Sequence, residues 1–215
     1  QVFDIVPNID LNVMKKDQSL ASLTSLLIES LDAYLKESKP DMVIVQGDTT
    51  SVFSGALAAF YNKIPVGHIE AGLRTFNLGS PWPEEGNRVL TSHISSMHFA
   101  PTEISKANLL KEGIGEDNIY VTGNTVISAL FSARKILKDV FTEIPGISEK
   151  ELVEAQKIIL ITGHRRENFG EGFESICQAI AILAERFPEY LFVYPVHLNP
   201  SVREPVNRIL NSTKL

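Results

Sequence analysis

The sequence predicts an α/β protein built on parallel sheet, and three observations lead there. Short apolar runs recur along the chain: MVIVQ at 42–46, VGHI at 66–69, MHFA at 97–100 and IYVTG at 119–123. Segments of helical periodicity alternate with them, a pattern that implies parallel strands covered by helices on both faces of the sheet. The loops that leave these runs carry glycine and acidic residues: Asp48 in VQGDTTS, Glu70 in HIEAGLRT, Glu84 and Glu85 in PWPEEGNR. In an alternating α/β chain, the edge where strands give way to loops is the edge that carries ligands.

Taken in order, SLASLTSLLIESLDAYLK at 19–36 places Leu20, Leu23, Leu26, Leu27, Leu31 and Leu35 on one helical face, with Pro40 beyond its end. SVFSGALAAFYN is a small-residue helix after the first strand, and a helix is expected from about Glu85 to Ile94. TEISKANLLKEG and residues 125–137 give two more. Pattern then weakens, Pro145-Gly146 breaks structure and charge density rises, so residues 1–140 form a first domain and 141–156 a linker. KIILITG at 157–163 restarts the alternation, followed by the helix FESICQAIAILAERF, the strand LFVYPV and the helix VREPVNRILN. Residues 157–215 hold only two strand-helix units and read as an unfinished second domain.

Composition narrows the function classes. The chain has 215 residues, 44% of them hydrophobic, enough for a sizeable buried core. A net charge of -6 argues against binding nucleic acid over a broad basic surface. Cys177, the single cysteine, lies in an apolar helical pattern and reads as a buried thiol, not a disulfide or metal ligand. No apolar run has the length of a membrane span and no signal core opens the chain, so a soluble cytoplasmic protein is expected. The start, QVFDIVPNIDLNVM, lacks an initiator Met and enters directly into apolar alternation, as a fragment would.

Each candidate residue has a structural reading beside the chemical one. Asp48 precedes Thr49, Thr50 and Ser51 and could cap the next helix; Gly47 before it lets backbone and ligand approach closely. Glu70 needs a partner if buried, either Arg74 as a structural ion pair or a ligand hydroxyl. Glu84 and Glu85 follow the rigid Pro81-Trp82-Pro83 segment, where Glu85 could serve only the helix dipole. Two carboxylates at one ligand can divide acid and base work, which suits removal and return of a proton on carbon. In GHRREN, Arg165 and Arg166 can grip phosphate, and His164 fits a hydrogen-bonding role near a pyrophosphate; the alternative is a solvated charged loop. His197 and Arg203 follow the next strand on the ligand edge, whereas His68, His93 and His98 read as packing histidines. Trp82 either stacks on a sugar or covers its loop. Neither GxxxxGK[ST] nor GxGxxG occurs, so a P-loop and a dinucleotide fingerprint are both absent.

VQGDTTS, PVGHIEAGLRT, SPWPEEGNR, VTGNTVISAL and TGHRREN, in this order, resemble the non-hydrolysing UDP-N-acetylglucosamine 2-epimerases. That resemblance covers the whole chain. It implies a GT-B-like architecture, two Rossmann-like parallel-sheet domains with the ligand cleft between them, the second incomplete here, and a homodimer. It also implies reversible epimerisation at C2 of UDP-GlcNAc to UDP-ManNAc, without cofactor or metal, by anti elimination of UDP to 2-acetamidoglucal and re-addition. By motif match Asp48, Glu70, Glu84 and His164 are the expected catalytic residues; Asp48, Glu70, His164 and Arg166 are expected to bind substrate. Glu85, Arg165 and His197 match an allosteric effector site. Ser128 stands where many members carry Asp, and both ends of the family's chain are missing, so these residues alone are expected to be inactive. Two readings compete: a GT-B UDP-sugar glycosyltransferase, which the same fold would serve, and a non-catalytic nucleotide-sugar-binding fragment. A hydrolysing epimerase lacks the HIEAGLRT and PWPEEGNR pattern.

Overall fold

A computed structural model describes residues 3–15, 17–138, 146–163 and 169–210. The chain divides into two compact units, residues 1–138 and 139–215. In the first, α1 (Leu20–Ser38) precedes four parallel strands joined through helices: β1 (Val43–Gln46), α2 (Thr50–Tyr61), β2 (Val66–Ile69), α3 (Glu84–Ile94), β3 (Met97–Ala100), α4 (Glu103–Lys111), β4 (Ile119–Val121) and α5 (Thr125–Leu137). The strand order is β1-β2-β3-β4. The second unit holds α6 (Glu149–Glu154), β5 (Lys157–Leu160), α7 (Glu171–Arg186), β6 (Tyr190–Val193) and α8 (Pro200–Leu210), with β5 and β6 paired in parallel. This is the α/β fold with parallel sheets that the alternation predicts.

Local chemistry sets the helix ends. Ser19, Thr49, Thr102 and Asn124 each turn a side-chain oxygen onto a backbone N–H of the first turn of α1, α2, α4 and α5, satisfying donors that the helix itself leaves unpaired. Lys39 closes α1 in the left-handed conformation, its N–H donating to the Leu35 carbonyl before Pro40. The expected linker contains one element that periodicity does not reveal. Ser148 and Glu151 form a capping box that starts the six-residue α6, too short to show an apolar stripe.

Packing in the first unit follows the strand alternation. Val43, Val45 and Val66 point toward one side, where Leu31 and Leu35 of α1 and Val52, Ala56 and Ala59 of α2 close over them. Ala100 and Ile119, on the same side, pack with Leu109 of α4. Fully burying a valine such as Val66 contributes about 1.5–3 kcal/mol. Cover on both faces was the expectation; among the described residues it is found on one only. On the opposite face Ile44 and Tyr120 are 58% and 44% exposed, and Tyr120 stacks on Phe99 at a centroid distance of 5.8 Å. No residue of α5 is buried. In the second unit, Phe173, Cys177 and Ile180 of α7 pack on Val202, Val206 and Leu210 of α8, so Cys177 is the buried thiol its setting predicts.

Candidate active site

Register places the two central loops side by side. Gln46 of β1 pairs with Ile69 of β2, so Gly47-Asp48 and Glu70 leave the sheet from adjacent strand ends. The Gly47 N–H extends the ladder by donating to the Ile69 carbonyl at 3.1 Å. Gly47 sits at φ +87°, a conformation that L side chains rarely adopt. A Cβ built there would lie 3.8 Å from Glu70 Oε2, so the Glu70 carboxylate rests against the glycine's open side. Glu70 itself has φ +68°; left-handed backbone at a non-glycine residue costs of order 1–3 kcal/mol and collects at functional sites.

Asp48 does not cap α2, because Thr49 does. Its carboxylate instead meets Arg88 of α3, whose Nε and Nη2 both lie 2.9 Å from Asp48 Oδ2. The Asn87 side-chain amide donates to the Asp48 carbonyl at 2.9 Å. Arg88 also donates from Nη1 to Glu85 Oε2 at 3.0 Å, bridging two carboxylates that enter from different elements. Glu85 is 1% exposed. Its other oxygen accepts the backbone N–H groups of Thr75 and Phe76, each at 2.9 Å, which ties the loop after β2 to the first turn of α3. Glu84, the first residue of α3, is half-buried and stands one turn before Arg88 on the same helical face. Among the described residues no donor or cation pairs with its carboxylate.

The structural reading of Glu70 as an ion pair with Arg74 is also corrected. Arg74 is buried and turns to Glu112 at the end of α4, with Nε and Nη2 at 2.7 and 2.8 Å from the two carboxylate oxygens. Glu70 Oε1 accepts instead from the Asn124 side chain at 3.3 Å, while Asn124 Oδ1 caps α5. His68 and His98 are buried neighbours in the β2–β3 register, whereas His93 is exposed. Burial pushes His98 down to about 4, helped by adjacent His68, and burial likewise lowers His68. His68 is more than packing, since its Nε2 lies 2.8 Å from the Gly47 carbonyl. Trp82 is 60% exposed in its loop beside α3.

His164, Arg165 and Arg166 lie outside the described residues, so the structure does not place them. His197, after β6, accepts the Asn199 N–H on Nδ1, and Arg203 lies in α8. The Tyr194 hydroxyl donates to the Gly163 carbonyl at 2.6 Å, at the point where β5 gives way to GHRREN. Among the described residues no group of three or more His, Cys, Asp or Glu side chains could hold a metal, and no helix is long and apolar enough to cross a membrane. The first unit thus gathers Asp48, Glu70, Glu85 and the start of α3. It adds Arg88, Asn87 and Asn124, of which the helical spacing from Glu84 could have flagged the first two.

Comparison with known proteins extends this picture. A family model described as UDP-N-acetylglucosamine 2-epimerase matches residues 1–214. The chain is similar to the UDP-N-acetylglucosamine 2-epimerase of Escherichia coli K12, at 51% identity over 100% of this chain and 57% of the relative. To that of Neisseria meningitidis serogroup A it is 54% identical, covering 98% of this chain and 57% of the relative. Among solved structures, the Neisseria meningitidis UDP-GlcNAc 2-epimerase bound to UDP-GlcNAc matches with a TM-score of 0.91 at 52% identity, over 99% of this chain and 57% of that one. The Methanocaldococcus jannaschii enzyme in complex with UDP-GlcNAc and UDP matches with a TM-score of 0.77 at 35% identity, over 98% and 56% of the two chains. The chain therefore spans little more than half the length of the curated relatives it matches.

Proposed function

We propose a function from one premise: the chain belongs to the UDP-N-acetylglucosamine 2-epimerase family. In a polypeptide of the relatives' full length, these residues would contribute to reversible epimerisation at C2 of UDP-GlcNAc, giving UDP-ManNAc for surface polysaccharide. The observation that carries this reading is the convergence of Asp48 and Glu70 from adjacent strand ends, beside the α3 turn that bears Glu84. One carboxylate takes the C2 proton while the C2–H electron pair forms the C1–C2 double bond and UDP leaves with the C1–O pair. A second carboxylic acid then delivers a proton to the opposite face of C2 as a UDP oxygen bonds C1. Glu70 and Glu84 divide that proton work in this reading, and Asp48, held by Arg88, supports one of them. His164 stabilises the departing UDP and Arg166 binds its phosphates; Asp48, Glu70 and His164 also contact the sugar nucleotide.

The protein would work as a cytoplasmic homodimer, without cofactor or metal. Effector control through Glu85, Arg165 and His197 belongs to the same proposal. For Glu85 the support is indirect, because Thr75, Phe76 and Arg88 occupy its carboxylate, so it would act by bracing the loop. Residues 1–215, spanning little more than half the relatives' length, would be inactive alone. NMR of the full-length protein with UDP-GlcNAc in D₂O tests the central claim. Deuterium at C2 of both UDP-GlcNAc and UDP-ManNAc is expected, and intact unlabelled substrate would end it.

A further inference from the structure

We infer that His68 and Asn87 are positioning residues that lock the backbone at Asp48 by holding two consecutive carbonyls. The inference rests on the proposed role of Asp48. His68 Nε2 lies 2.8 Å from the Gly47 oxygen, and Asn87 Nδ2 lies 2.9 Å from the Asp48 oxygen. A carbonyl can only accept, so Nε2 is the protonated ring nitrogen of His68 and Nδ1 carries the lone pair. That Nδ1 is buried and, among the described residues, has no partner. A second proton there would find no acceptor, so the ring stays neutral.

Both peptide groups flanking Asp48 are thus held at their carbonyls, and the peptide before them is held through the Gly47 N–H, which donates to Ile69. Its remaining freedom lies in side-chain torsions that Arg88 restrains. Volume alone does not call for an imidazole in this core. An apolar side chain would fill the space without an unpartnered buried nitrogen, which costs about 1–3 kcal/mol. A local rule broken at this point marks a site where aim outweighs stability.

Nitrogen-15 NMR of the histidines in the unmodified full-length protein reads the clamp without any turnover. The Nε2–H neutral tautomer at His68 is expected at pH 7; the Nδ1–H tautomer or an imidazolium would overturn the inference. Kinetics of C2 exchange provide the second reading. His68→Leu should lower kcat by about 100-fold with KM changed by less than about threefold, the scale expected for a displacement near 1 Å. His68→Gln, whose amide can donate to the same carbonyl, should recover most of the loss. A folded His68→Leu within about threefold of wild-type kcat, or equal losses in both variants, would overturn the clamp. If His68→Leu does not fold, Asn87→Leu carries the same expectation, and its unchanged kcat would count against the inference in the same way. Absence of exchange in the unmodified protein would sink the proposed function while the tautomer measurement still decides the clamp.

Discussion

Arg74 and Glu112 meet through two parallel contacts of 2.7 and 2.8 Å, with the Arg74 side chain fully buried. The pair ties the loop after β2 to the end of α4, and Arg74 also donates to the Leu73 carbonyl and the Ser92 hydroxyl. Removing one partner of a buried pair leaves an uncompensated charge. Glu112→Ala should lose about 3–5 kcal/mol in urea unfolding; a loss below about 1 kcal/mol would mean that the guanidinium is not confined by this contact.

Gly72 lies in the same loop at φ +85°, and a Cβ added there would stand 2.2 Å from the Ser105 carbonyl oxygen of α4. The obstacle is backbone, so it cannot swing aside as a flexible side chain would. Gly72→Ala should destabilise the first unit by about 2–5 kcal/mol, combining left-handed strain with overpacking. Thermal unfolding measures this, and an unchanged midpoint would show that α4 yields freely.

Arg88 should matter for turnover as well as for stability. It bridges Asp48 and Glu85 with its side chain 12% exposed, so Arg88→Met frees Asp48 to reorient and leaves buried Glu85 without its cation. A kcat loss of about 100-fold is expected in the full-length protein, with KM for UDP-GlcNAc little altered. Steady-state kinetics with Arg88→Lys as a companion would separate charge from fork geometry, since lysine cannot reproduce the two-carboxylate bridge.

His98 gives the fold a dependence on pH whose direction can be stated. Burial holds it down to about 4 from an ordinary 6.5, so between these values the unfolded chain binds more protons than the native one. Its contribution is whole above pH 6.5 and is lost as pH falls through about 4, by roughly 3 kcal/mol in total. Glu112, held below the usual carboxylate range by Arg74, adds a loss in the same direction at lower pH. His98→Leu should flatten the slope of unfolding free energy between pH 6.5 and 4.5 and leave the more acidic part in place.

Strands and long helices were legible because periodicity is local: the leucine stripe of α1 and the short apolar runs each report their own burial. Asp48 and Glu70 were legible as site candidates for a related reason, since both sit where such a run ends. Their partners were not. Arg74 and Glu112 are 38 residues apart, and Asp48 and Arg88 are 40 apart, so these pairs exist only once the helices have packed. Local rules therefore offered nearer partners, the α2 cap for Asp48 and Arg74 for Glu70, and tertiary structure overrode both. Alternation along a strand shows that both sides of the sheet are apolar, as at Ile44 and Tyr120, but not what covers each of them.

The β1–β2 register has a consequence for how this site can vary. Because Gln46 faces Ile69, the spacing between the strand ends that carry the two acidic loops is one strand separation, about 4.8 Å, set by backbone pairing. The ladder acts as a ruler, indifferent to which apolar residue occupies each rung. Apolar exchanges at Val43, Ile44, Val45 or Val66 leave the mark where it is, whereas inserting or deleting one residue in either run turns the following carboxylate to the other side of the sheet. Drift in composition is thus tolerated where drift in length is not.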